Sequence, residues 1–119
     1  ADIVSIHLVL SARSRGLVGA QEFALMKPTA YLVNSSRGPI VDEAALIEAL
    51  RSRRIAGAGL DVYDREPLPA DHVLRSLDTV VLTPHLGYVT EDPYGVFYPD
   101  TVENIKAWLA GSPVRVIKA

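Results

Sequence analysis

Apolar residues fall into four short runs along the chain, separated by segments with a different spacing. The run Ile3-Val4-Ser5-Ile6-His7-Leu8 is β-branched and ends on polar groups, which predicts a strand. After a Gly-punctuated connection, residues 21–27 suit a short helix that Pro28 stops. Tyr31-Leu32-Val33 predicts a second strand, leading into Asn34-Ser35-Ser36-Arg37-Gly38-Pro39. Asp42 and Glu43 suit the positive end of a helix, Leu46, Ile47 and Leu50 recur on one face, and Arg51, Arg53 and Arg54 suit the negative end. Ile55-Ala56-Gly57-Ala58-Gly59-Leu60 reads as a tightly packed interior strand ending on Asp61. Residues 63–78 form a charged, Pro-containing connection with a helical turn near Val73, and Thr79-Val80-Val81-Leu82 is the fourth strand. From Thr90 the pattern is helical, with Val102, Ile105 and Leu109 on one face until Gly111. Pro99, with no N–H to donate, is expected to kink or divide that helix.

Four apolar strands alternating with helices predict an α/β fold built on a parallel sheet with right-handed crossovers. No repeat, low-complexity tract or dividing linker interrupts it. In such sheets ligands bind outside the carboxyl ends of the strands. Each predicted strand ends on polar groups: His7, then Ser35 to Arg37, then Asp61, then Thr83 with His85. Any one of these is ordinary loop solvation, but parallel packing would gather all four along one edge. A cation, acids and imidazoles in one crevice suit a small anionic substrate that exchanges a proton. Glu66 in Arg65-Glu66-Pro67-Leu68-Pro69 and His85 in Thr83-Pro84-His85-Leu86-Gly87 are the candidate proton-transfer pair, since imidazole titrates near neutral pH and a carboxylate tunes it.

With 119 residues the chain is too short for two domains, and its net charge of −2 gives no basic excess for nucleic acid or an anionic membrane. No cysteine is present, which excludes disulfides, thiolate catalysis and zinc–sulfur sites; no metal site is assigned. No apolar run approaches a membrane span, and the cytoplasm is the default. The chain opens inside an apolar run without an initiator Met, so a piece of a longer polypeptide is expected. Gly57-Ala58-Gly59-Leu60-Asp61 lacks the third glycine and the immediate helix of a dinucleotide fingerprint; close packing of strand against helix accounts better for these glycines. His72 is expected in solvent, the arginines at 13, 15, 51, 53 and 54 on the surface, and Tyr94, Phe97, Tyr98 and Trp108 in packing or an interface.

Taken in order, His7-Leu8-Val9-Leu10-Ser11, Leu32-Val33-Asn34-Ser35-Ser36-Arg37-Gly38, Gly59-Leu60-Asp61-Val62, Glu66-Pro67-Leu68-Pro69 and Thr83-Pro84-His85-Leu86-Gly87 resemble the D-isomer-specific 2-hydroxyacid dehydrogenases. The resemblance implies the later part of a Rossmann-type domain binding NAD or NADP, the glycine-rich loop and substrate domain lying outside residues 1–119. It implies Arg37 for the substrate carboxylate, His85 as general acid/base and Glu66 as its partner, with His7, Val9, Ser35, Asp61 and Gly87 lining the cofactor. Val9 stands where the family usually has proline, and glutamate at 66 argues against the formate-oxidising relatives, which need no proton transfer. The implied function is hydride transfer between NAD(P)(H) and a small D-2-hydroxy or 2-oxo acid, as an oxidoreductase or an inactive fragment of one. The alternative is a dinucleotide-sensing, corepressor-like regulator. An unpaired edge at the first strand would favour a homodimer or aggregation.

Overall fold

The computed structural model describes residues 1–117, which form two compact units, one of residues 1–86 and one beginning at Gly87, a division that no compositional linker marks. The first unit contains β1 (Ile3–Ile6), α1 (Ala20–Leu25), β2 (Tyr31–Asn34), a 3-10 turn (Gly38–Ile40), α2 (Glu43–Arg51), β3 (Gly57–Leu60), a second 3-10 turn (Val73–Ser76) and β4 (Val80–Leu82). The strands form one sheet in the order β1-β2-β3-β4, every neighbouring pair parallel. This is the α/β architecture expected from the alternation of apolar runs.

Local signals start and stop the helices. The Asp42 side chain accepts from the Ala45 N–H at 3.0 Å and caps α2, with Glu43 in its first turn and Arg51 in its last. At α1 the Glu22 carboxylate reaches back to the Gly19 N–H at 2.9 Å. Helix α1 ends at Leu25, earlier than expected, and Met26 turns extended before Pro28 is reached.

Register gives the sheet two unlike faces. Ile6, Asn34, Leu60 and Leu82 lie in one row and Val4, Leu32, Ala58 and Val80 in another. These rows face the core, where Leu32 is fully buried beside Phe23, Ile40, Leu46, Leu50, Ile55 and Leu74. Residues at alternate positions point the other way, and Ile3, Tyr31 and Val81 are 64%, 52% and 70% exposed.

Two glycines are required by close approach. A Cβ on Gly38 would collide with the Tyr63 backbone, and one on Gly57 with the Thr79 carbonyl, 3.1 Å from the Tyr31 ring. The crowding at Gly57 therefore comes from the neighbouring strands and not from a helix, while at Gly59 the nearest atom is Val33 Cγ2 at 4.0 Å. The strand-against-helix explanation does not hold for this pair.

The second unit is built on α3, Glu91–Leu109, which runs through Pro99 without dividing. Proline removes one intrahelical bond, and side-chain pairs brace that turn: Tyr94 meets Tyr98 edge to face at 5.2 Å, and Arg115 binds Asp100 at 2.9 Å and Glu103 at 2.7 Å. The expected apolar face of Val102, Ile105 and Leu109 is present but more than half exposed.

Replacing Gly38 with alanine should lower the unfolding free energy by about 1–3 kcal/mol, because the added methyl forces the Tyr63 backbone away. Urea titration of the two chains measures it, and equal midpoints would refute the contact.

Candidate functional site at the strand ends

Side-chain bonds shape the loops that leave β1 and β2. Asn34 is 1% exposed, a polar residue in a core-facing row. Its amide donates to the Arg37 carbonyl at 3.0 Å and its carbonyl oxygen accepts from the Ser36 N–H at 3.0 Å, so the turn closes around it. Ser36 donates its hydroxyl to the Leu8 carbonyl, tying this loop to the end of β1. The turn leaves Ser35 and Arg37 exposed, and the Arg37 guanidinium donates to the Ser36 carbonyl at 2.6 Å. His7 is also exposed, its Nε2 2.8 Å from Ser5 Oγ, and Val9 is 85% exposed.

The ends of β3 and β4 are joined more tightly. Asp61, 8% exposed, accepts through Oδ1 from the Thr83 hydroxyl at 2.5 Å and from the Leu86 N–H at 2.7 Å. These bonds bracket residue 85 from both sides. The Tyr63 hydroxyl donates to the carbonyls of Leu60 at 2.9 Å and Thr83 at 2.8 Å, and its N–H donates to Glu66 Oε1 at 2.9 Å. Glu66 Oε2 lies 2.7 Å from His85 Nδ1. His85 has φ 59°, a left-handed conformation uncommon outside glycine and tolerated better by histidine than by most residues.

The structure thus brings Glu66 and His85 together, 19 positions apart in sequence, and places Asp61 as a brace beneath them. The charge of Arg37 is felt at Glu66. Gly87 opens the second unit and is exposed. His72 is not in solvent: its side chain is 20% exposed, Nδ1 accepts from the Leu74 N–H at 3.3 Å, and Nε2 lies 3.2 Å from Glu43 Oε1. It fastens the connection that carries Glu66 to the start of α2. Sequence reasoning does not single out Asn34 and Tyr63 as organisers of the site; the available signal for Asn34 is a polar residue in a core-facing row. The pair itself lines a cavity of about 560 Å³, together with Pro67, Leu68, Arg75, Leu82 and Pro84.

Electrostatics agree with this geometry. Burial opposes ionisation of Glu66, but the His85 and Tyr63 bonds and the charges of His85 and Arg37 outweigh it and hold the carboxyl below its ordinary 4.5. The two side chains are 36% and 35% exposed, so the pair adds only about 0–1 kcal/mol to stability, and its value is positional. A carboxyl lowered on folding stabilises above the unfolded value and loses that contribution as pH falls through the folded one. The stability gap between the chain and Glu66→Gln should therefore close as pH falls below 4.5. Urea unfolding at a series of pH values checks this, and a pH-independent gap would contradict it.

With the site's geometry in view, comparison with known proteins identifies its relatives. Residues 1–87 match the family described as D-isomer specific 2-hydroxyacid dehydrogenase, NAD binding domain. Glyoxylate/hydroxypyruvate reductase B of Citrobacter koseri is 50% identical over 111 residues, 93% of this chain and 34% of that protein. A D-isomer specific 2-hydroxyacid dehydrogenase from Xanthobacter autotrophicus Py2, solved with NADPH and MES, is 45% identical with a TM-score of 0.75, covering 97% of this chain and 47% of that one. D-lactate dehydrogenase from Lactobacillus jensenii, solved with NAD+, is 34% identical with a TM-score of 0.82, covering all of this chain and 40% of that one. The chain spans about a third of the length of the curated relatives it matches. A four-stranded parallel sheet, an acid–imidazole pair at its carboxyl edge and these matches make the chain a member of the D-isomer-specific 2-hydroxyacid dehydrogenase family.

Proposed function

We propose that residues 1–119 are the later, catalytic part of a NAD(P)-binding domain whose enzyme reduces small 2-oxo acids to D-2-hydroxy acids, in the cytoplasm. The observation that carries this reading is the 2.7 Å contact of His85 Nδ1 with Glu66 Oε2 at the carboxyl edge of the sheet. No helix among the described residues is long and apolar enough to cross a membrane.

The strand ends suit the nicotinamide end of the cofactor. Register continued one residue past the strands aligns His7, Ser35, Asp61 and Thr83, three exposed polar groups with a buried carboxylate set among them. We assign His7, Val9, Ser35, Asp61 and Gly87 to that end of NAD or NADP, which supplies the hydride when bound. Arg37 holds the substrate carboxylate with two parallel hydrogen bonds. His85, its Nδ1 committed to Glu66, exchanges the proton through Nε2 at the carbonyl oxygen, where negative charge develops. Glu66 keeps the imidazole in the right orientation.

Grafting this chain in place of the matching segment of the Citrobacter koseri reductase tests the proposal. The chimera should oxidise NADH or NADPH with glyoxylate, hydroxypyruvate or pyruvate, and His85→Asn should lower kcat by about 10²–10⁴-fold. A folded chimera that binds NADH and turns over none of these acids would favour a dinucleotide sensor instead.

The 119-residue chain on its own contains no complete glycine-rich phosphate loop, so NADH should not raise its melting temperature; a saturable rise would oppose the assignment of a partial domain. The free edge of β1 and the exposed Ile3, Tyr31 and Val81 support self-association of the isolated chain as a homodimer. Light scattering should give twice 12.9 kDa, and a monomer at every concentration would oppose it.

A further inference from the structure

We propose that Tyr63 is the positioning residue that sets the distance between Glu66 and His85, an inference that rests on the proposed role of that pair. Three contacts converge on it from separate parts of the chain. Its hydroxyl is shared between the carbonyls of Leu60, the last residue of β3, and Thr83, two residues before His85, at 2.9 and 2.8 Å. Its backbone N–H holds Glu66 Oε1 at 2.9 Å, leaving Oε2 to meet His85. Its backbone packs where a Cβ on Gly38 would lie, next to Arg37.

The same residue therefore grips the carboxylate through its main chain and the histidine segment through its side chain. Neither grip is loose, since Tyr63 is 7% exposed and its hydroxyl has two carbonyl acceptors away from bulk water. Asp61 fixes residues 83 and 86 to the end of β3, and Tyr63 joins that histidine segment to the Glu66 carboxylate. Burial and the nearby Asp61 charge raise the phenol above its ordinary 10.0, so the neutral, donating form is the one present wherever the pair would work.

Tyr63→Phe deletes the hydroxyl and keeps the ring and the N–H. The test is a ¹³C NMR titration of the Glu66 carboxylate in the 119-residue chain, its Tyr63→Phe variant and its His85→Asn variant. If Tyr63 positions the pair, Tyr63→Phe moves the Glu66 midpoint upward, part of the way to its value in His85→Asn. A purely structural role would lower the melting temperature and leave the midpoint where it is, which would overturn the proposal. If His85→Asn leaves the Glu66 midpoint unchanged, the pair itself is not coupled and the reading of function fails separately. A second measurement needs no substitution: as Tyr63 ionises at high pH, followed by the ¹³C shift of its own ring ζ-carbon, the His85 ring carbon shifts should move in step. Ring signals indifferent to that ionisation would also overturn the proposal.

Discussion

Everything at this site depends on the parallel pairing of four strands in matched register. Ile6, Asn34, Leu60 and Leu82 stand in one row, so each chain segment leaves the sheet at the same edge. Residues far apart in sequence then meet without any long excursion of backbone. Glu66 reaches His85, Asp61 reaches Leu86, and Ser36 reaches Leu8 because their strands end together. An antiparallel pairing of the same segments would send alternate loops to opposite ends of the sheet and separate the acid from the imidazole.

The strand ends divide the labour between two kinds of group. Buried polar residues spend their hydrogen-bonding capacity on shaping the loops, as Asn34 does on Ser36 and Arg37 and Asp61 does on Thr83 and Leu86. Exposed ones, such as Arg37, Ser35 and His7, are the side chains those loops present outward. The division explains why the acid–imidazole pair needs little stabilising energy of its own: its geometry is set by neighbours already fixed by burial.

Much of this was legible in the chain. β-Branched runs marked β1 and β4, a short apolar run marked β2, the onset of polar residues marked where they stop, and residue chemistry singled out Glu66 and His85 before any fold was known. What could not be read depends on contacts across the sheet. Nothing near Tyr63 in sequence announces that its hydroxyl ends 20 positions away on Thr83, and Gly38 looks like any loop glycine until Tyr63 lies against it. His72 looked solvated because its neighbours are polar, yet Glu43, 29 positions earlier, covers it. Pro99 does not divide its helix, because a local rule about one lost bond ignores the pairs that hold the turns around it.

The left-handed backbone at His85 has a consequence for how this position can be interrogated. Most side chains would add a conformational penalty of roughly 1–2 kcal/mol there, whatever they do to proton transfer. An alanine scan would therefore report two quantities as one number, the loss of an imidazole and the strain of a misfitted main chain. Asparagine, which visits this conformation readily, separates them. Backbone shape thus constrains residue 85 independently of the proton transfer proposed for it, and histidine suits both.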